Sequence, residues 1–146
     1  MKYTKLQEGS YFLRLEKDEE LVQSLKAFCQ RQGVTSGYVQ GIGGLQTARL
    51  GVYRLSGSKE YEFTDFSGDL EMISLQGNVS LDEEGSHMLH LHAVVGNEQL
   101  STVGGHFDSG VVGGTVELMV TAFVIPFTRV LDDEIGLKLI NFDTHE

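Results

Sequence analysis

The sequence predicts an α+β fold: mostly antiparallel β-sheet, with one long helix near the N-terminus and allowance for further short helices. Three observations carry this. One helical stripe of apolar residues follows Asp18. Beyond Gly33 the apolar residues recur at every second position, the period of a strand with one buried face. Turn signals such as Ser56-Gly57-Ser58 and Asp82-Glu83-Glu84-Gly85 divide those alternating runs.

The elements follow in order. Tyr11-Phe12-Leu13-Arg14-Leu15 places Tyr11, Leu13 and Leu15 on one side and suits a strand. Asp18 offers an N-cap, with Glu19 and Glu20 where the helix dipole favours anions. Leu21, Val22, Leu25, Phe28 and Cys29 form the apolar stripe. Arg31 falls in the last turn and Gly33 is a stop signal. Gly37 to Ile42 reads as a short strand broken by Gly43-Gly44, and Gln46 to Leu55 as another. Lys59 to Phe63 is a short strand. Leu70 to Leu81 is a long one, with Gly77 as a bulge candidate. Met88 to Val95 alternates cleanly. Gly96-Asn97 and Gly104-Gly105 read as turns around Leu100–Val103. Val111 to Ile125 is β-branched and ends at Pro126. Asp132 to Gly136 is a turn before Leu137 to Phe142. No linker or repeat interrupts the chain, so residues 1–146 are expected to be one domain.

Composition narrows the classes. The chain is 40% hydrophobic and 22% charged, and no apolar run approaches the roughly 20 residues that span a bilayer. The start, MKYTKLQEGS, lacks the apolar segment of a secretory signal, so a cytoplasmic location is expected. Cys29 is the one cysteine and reads as a buried thiol on the helix. Eleven basic residues face 21 acidic ones, for a net charge of -10. That balance repels phosphate backbones and anionic membranes at long range. The Lys and Arg residues are scattered, with no basic run. Gly41-Ile42-Gly43-Gly44 does not open a helix, which a dinucleotide loop requires, so it reads as a tight turn or close packing.

The histidines carry the chemistry. His90-Leu91-His92 puts two imidazoles on one strand face and Leu89, Leu91 and Ala93 on the other. If the segment from Gly96 folds back antiparallel, His106 reaches the same face, with Gly104-Gly105 allowing close approach. Three neutral imidazoles suit zinc or another divalent transition metal. A plain polar sheet face is served equally well by this spacing. His87 turns to the opposite face, and His145, in the penultimate position, is expected to be disordered. Glu71 or Glu117 is a candidate general base near a metal-bound water, in an alternative reading as a metal-dependent enzyme. No Ser/His/Asp or Cys/His constellation supports nucleophilic catalysis. Strands near Val111-Val112 and Ala122–Phe127 carry apolar side chains beyond what one helix covers, as a subunit interface does.

The residues also carry a resemblance. Tyr11 to Glu16 with Glu19-Glu20-Leu21, Gly41 to Leu45, Ala48 to Gly51, Leu70 to Ser80, His90-Leu91-His92, Gly104-Gly105-His106 and Thr115-Val116-Glu117 occur in the order seen in the PPC domain, the "plants and prokaryotes conserved" domain. The resemblance implies an α+β fold on an antiparallel sheet, a homotrimer, and His90, His92 and His106 as ligands of a metal, usually zinc. It also brings the label DNA-binding protein. Plant members contact DNA through a separate Arg-Gly-Arg-Pro core that is absent here, and Asp69 stands where they carry the Arg of Gly-Arg-Phe-Glu-Ile. The expectation is therefore an oligomeric metal-binding module, regulatory in kind, acting on protein partners, with DNA as a partner by resemblance only.

Overall fold

The structure is a computed structural model that describes residues 1–142; His145 lies outside the described residues. Its strands are β1 (Lys2–Gln7), β2 (Ser10–Glu16), β3 (Gly37–Tyr53), β4 (Tyr61–Asp82), β5 (His87–Gly96), β6 (Thr102–Ala122), β7 (Thr128–Asp132) and β8 (Leu137–Asn141). One helix, α1 (Leu21–Gln32), joins β2 to β3.

The helix corrects the expected fold class. It has 12 residues, about 18 Å at helical rise, and it is the only helix among the described residues. Strands account for 65% of the structure, which is mostly β without a long N-terminal helix or further short ones. The reason lies at both helix ends. Asp18 does not cap: it adopts a left-handed φ of 69° and its carboxylate accepts from the Gln46 amide at 3.0 Å. Its N–H donates to the Val112 carbonyl, which pins the turn to β6 and delays the helix. Glu20 caps instead, accepting from the Gln23 N–H. At the other end Val34 N–H donates to the Cys29 carbonyl and Gly33 N–H to the Gln30 carbonyl, a Schellman ending. Leu21, Leu25, Phe28 and Cys29 are fully buried against β5 and β6. Burial pushes the Cys29 thiol up to about 12, as expected of a packing residue.

Several expected breaks are bends within long strands. The two segments around Gly43-Gly44 form the single strand β3, with register shifts at Gly41/Gly43 and Leu45/Thr47. Gly43 has φ 152°, and a side chain there would collide with the Thr115 carbonyl and Val116 on β6. The glycines let β3 curve across β6 without losing its pairing. Lys59–Phe63 and Leu70–Leu81 likewise merge into β4, whose bulge falls between Met72 and Ser74, not at Gly77. Gly104-Gly105 is no turn: both residues lie inside β6.

Curvature closes the sheet. β3 pairs with β4 and β6, and β5 pairs with β4 and β6, so these four strands complete a ring of antiparallel pairings. β1 and β2 extend it beyond β6. Alternate residues point inward from β2, β3, β4, β5 and β6: Leu13, Leu15, Val39, Leu75, Leu91 and Leu118 are among the side chains with at most 1% exposure. β7, which the sequence reading lacked, pairs in parallel with the end of β4 through Leu81↔Thr128 and Asp82↔Arg129, and carries β8. Val112 belongs to the core, whereas Phe123, Val124 and Ile125 are exposed in the connection after β6. No helix among the described residues is long and apolar enough to cross a membrane.

Candidate metal centre

β5 presents its histidines as alternation requires. Leu91, Ala93 and Val95 are buried, and His90 and His92 stand on the opposite face. β6 then folds back beside β5 in the register His92↔His106, Ala93↔Gly105 and Val94↔Gly104. His106 is also paired with Gly51 of β3. A side chain at 105 would sit 2.7 Å from the Gly51 carbonyl oxygen, so glycine is what allows β6 to pass between its neighbours here. The double glycine positions His106, as expected, but through close packing inside a strand.

The three rings form a compact triangle. Their centroids are 5.1 Å apart for His90–His92, 5.5 Å for His90–His106 and 5.6 Å for His92–His106. Each offers one nitrogen, and these lie within 4.8 Å of one another. His90 Nε2 and His92 Nε2 are 3.3 Å apart. Two ligands bonded to one tetrahedral ion at 2.0–2.1 Å are separated by roughly 3.3–3.4 Å, so this pair already spans a tetrahedral edge. His106 Nδ1 is buried and has no hydrogen-bond partner among the described residues. An imidazole nitrogen left so is costly unless an ion or a polar ligand completes it. The residues present therefore fit a borderline cation.

Burial and neighbouring charge favour the neutral form of His90 and His106. Burial, followed by the Arg129 guanidinium and the other two imidazoles, lowers His90 to about 4. His106 is also lowered, by burial and by His92, with Asp108 acting in the opposite sense. Neutral imidazole is the form that coordinates.

The other predicted residues are elsewhere. His87 is on the far face, where its Nε2–H donates to the Val34 carbonyl at 3.0 Å. Glu71 lies opposite Gly96, at the far end of β5, and Glu117 opposite Ile42 and Arg14. Among the described residues no carboxylate joins the histidine group. Asp108 is an acid whose charge acts on His106, and it pairs with Arg49 at 3.4 Å.

Sequence reasoning missed a second layer. The Tyr61 ring lies over His106, with centroids 4.5 Å apart. Arg129 is buried, with Nη2 at 3.5 Å from His90 Nδ1. Its other N–H groups donate to Ser80 Oγ, Asn78 Oδ1 and the Lys138 carbonyl. Only the parallel pairing of β7 with β4 brings Arg129 here, and no local sequence signal encodes that contact.

Comparison with known proteins agrees with this architecture. The family model of the Plants and Prokaryotes Conserved (PCC) domain matches residues 4–124. A solved structure from Bacteroides thetaiotaomicron, described as a "putative DNA binding protein", is 30% identical, with a TM-score of 0.91 over 97% of this chain and 96% of its own. The plant- and prokaryote-conserved (PPC) protein of Pyrococcus horikoshii is 32% identical, with a TM-score of 0.83 over 91% of each chain. The metal-containing protein of Archaeoglobus fulgidus is 27% identical, with a TM-score of 0.83 over 91% of this chain and 93% of its own. No curated protein matches in sequence.

Proposed function

From the premise that the chain belongs to the Plants and Prokaryotes Conserved domain family, we propose that it is a single-domain metal-binding module that assembles as a homotrimer. The observation that carries the metal reading is the convergence of one nitrogen from each of His90, His92 and His106 to within 4.8 Å, with the His90–His92 pair at tetrahedral spacing. An all-imidazole set on a rigid sheet suits zinc. The relative from Archaeoglobus fulgidus, named as metal-containing, supports the same reading. When bound, the ion would keep one position open to water or an anion. His90, His92 and His106 hold it, while Tyr61 packs against His106 and limits its rotation.

The trimer is supported by exposed apolar side chains on the ring strands. Ile42 and Ile73 are more than half exposed, and Val94 and Val103 are 40% exposed. Light scattering coupled to gel filtration should give three times the monomer mass at micromolar concentration.

A module that binds partners fits better than an enzyme, because the candidate bases Glu71 and Glu117 both lie away from the rings. DNA, the partner in the description of the Bacteroides relative, is disfavoured by the net charge of -10. Arg14, Arg49, Arg54 and Lys138 are also engaged by acids of this chain. Fluorescence anisotropy at physiological salt should show no duplex binding below roughly 10 μM. Submicromolar affinity would restore the DNA reading.

The test of the metal site is elemental analysis of protein purified without an affinity tag. Zinc or another transition metal near one per chain is expected in the wild type and is lost in His92→Ala. A wild type with no metal after exposure to zinc would remove the proposal.

A further inference from the structure

Arg129 poses a problem that the metal site does not solve. It is the only charged side chain among the buried residues of the described chain, at 7% exposure. Among the described residues no carboxylate pairs with it; all its good hydrogen bonds go to neutral groups, Ser80, Asn78 and the Lys138 carbonyl, at 2.8–2.9 Å. A buried cation without a counter-charge loses its hydration with no ionic attraction to offset the loss. Burial indeed lowers the Arg129 pKa. Three of the guanidinium's five N–H groups are used, and one more points weakly at His90 Nδ1 across 3.5 Å.

Cation binding makes that contact worse. His90 faces His92 with Nε2, so Nε2 is its coordinating atom and Nδ1 must then carry the proton. A ligating histidine normally donates this second N–H to a carboxylate, carbonyl or water. Here the neighbour is a guanidinium, which has no acceptor. Two donors then face each other, and one acceptor between them would satisfy both. A cleft of about 320 Å³ opens at this place. His90, Arg129 and Tyr61 provide its polar wall, and Met88, Leu131, Leu137 and Leu139 are apolar. Lys138 at the rim already lies 3.9 Å from both Asp82 and Glu84.

We propose that this cleft binds a small aliphatic carboxylate, whose oxygens accept from Arg129 and from His90 Nδ1–H while its hydrocarbon end packs on the leucines of β7 and β8. The planar guanidinium suits a carboxylate, and the apolar wall suits an acyl chain of a few carbons over a bare inorganic anion. The Arg129 contact stands on its own. The coupling to His90 rests on the metal reading above, because only an occupied Nε2 fixes the proton on Nδ1. The two ligands then help each other, and the help is reciprocal.

The probes are 3-methylbutanoate and its neutral isostere 3-methylbutanamide, titrated by calorimetry and followed by proton–nitrogen NMR. With metal-free wild type, the acid should bind and the amide should bind roughly tenfold or more weaker, the size of one lost charge-assisted hydrogen bond. Arg129→Gln should lose the preference for the acid, and Arg129→Lys should recover part of it. Zinc should then tighten the acid, and the acid should tighten zinc by the same factor. Equal binding of acid and amide to the wild type, or none of either, overturns the proposal, and this comparison needs no variant to fold. If zinc does not bind at all while the acid still prefers wild type to Arg129→Gln, the metal reading fails and the carboxylate site stands. If zinc binds but the acid does not alter its affinity, the coupling through His90 is wrong.

Discussion

The two faces of the closed sheet are built to opposite standards. On the inner face, where α1 packs, the large side chains find apolar company: Leu21, Leu25 and Phe28 are fully buried, and Phe28 meets the rings of Tyr3 and Tyr11 edge-on at 5.1 and 5.3 Å. The helix ends there are capped by Glu20 and closed at Gly33. On the histidine face, imidazoles crowd together, and among the described residues one nitrogen has no partner and a buried guanidinium has no counter-ion. The difference teaches where stability and function reside. Burial of apolar surface drives folding and needs no ligand. Unsatisfied polar groups oppose it, and they persist where a ligand completes them.

The largest effect should come from the first region. Phe28→Ala should lower unfolding free energy by about 3–5 kcal/mol, the usual cost of emptying a buried aromatic site. Urea denaturation measures it. Zinc stoichiometry of the remaining folded protein should not change, because Phe28 is not among the residues of the histidine group. A large loss of zinc in the folded fraction would mean that the faces are coupled.

The second region should show the reverse. His92→Ala and His106→Ala should each weaken zinc by more than roughly 100-fold, since outer-shell partners of such ligands alone are worth about 10–100-fold. For the exposed His92 the metal-free stability should move by less than about 0.5 kcal/mol, the range of ordinary surface changes. Competition with a chromophoric chelator gives the first number and urea the second. Stability loss without zinc loss would erase the contrast between the two faces.

Much of this contrast was legible in the sequence because it rests on local periods. The stripe Leu21, Leu25, Phe28 and Cys29 has helical spacing, and His90-Leu91-His92 has strand spacing. The antiparallel return that brings His106 to His92 also follows from a short connection. Long-range pairing was not legible. Gly43 and Gly105 look like punctuation in sequence and are close contacts between strands in the fold. Arg129 joins the site only through the parallel pairing of β7 with β4, which its neighbours in sequence do not announce. The α+β expectation failed for the same reason: contacts of Asp18 with Val112 and Gln46 shorten the helix, and both lie far along the chain.

Acid should separate the two faces by titration. His90 is lowered to about 4 and His106 is lowered too, whereas an unfolded histidine titrates near 6.5. Between these values the unfolded chain takes up protons that the folded pocket excludes. Metal-free stability is therefore full above about pH 6.5 and falls as pH drops towards 4. The slope is at most about 1.4 kcal/mol per pH unit for one group, less in these partly solvated rings. Thermal unfolding midpoints across this window measure it. In His90→Asn the slope should flatten, while in Phe28→Ala it should persist on a lower baseline. A His90→Asn slope equal to that of the wild type would assign the acid response to other groups.

The smallest effect is the sharpest control, because it places a histidine of the same strand on the other side of the comparison. His87 lies three positions before His90, so strand alternation turns it away from the metal face. There its Nε2–H donates to the carbonyl of Val34, the residue just past the helix stop, and ties the start of β5 to the end of α1. His87→Ala removes this one hydrogen bond from a half-buried pair, which is worth about 0.5–1.5 kcal/mol. Zinc affinity should stay within about twofold of wild type, since His87 lies outside the converging group. His87→Gln, with a side-chain N–H of similar reach, should recover part of the stability. A stability loss with zinc retained matches a residue of the helix-covered face. If His87→Ala instead costs as much zinc as His92→Ala, the imidazoles act as one loose polar surface, and the division of β5 into a structural face and a ligand face is wrong.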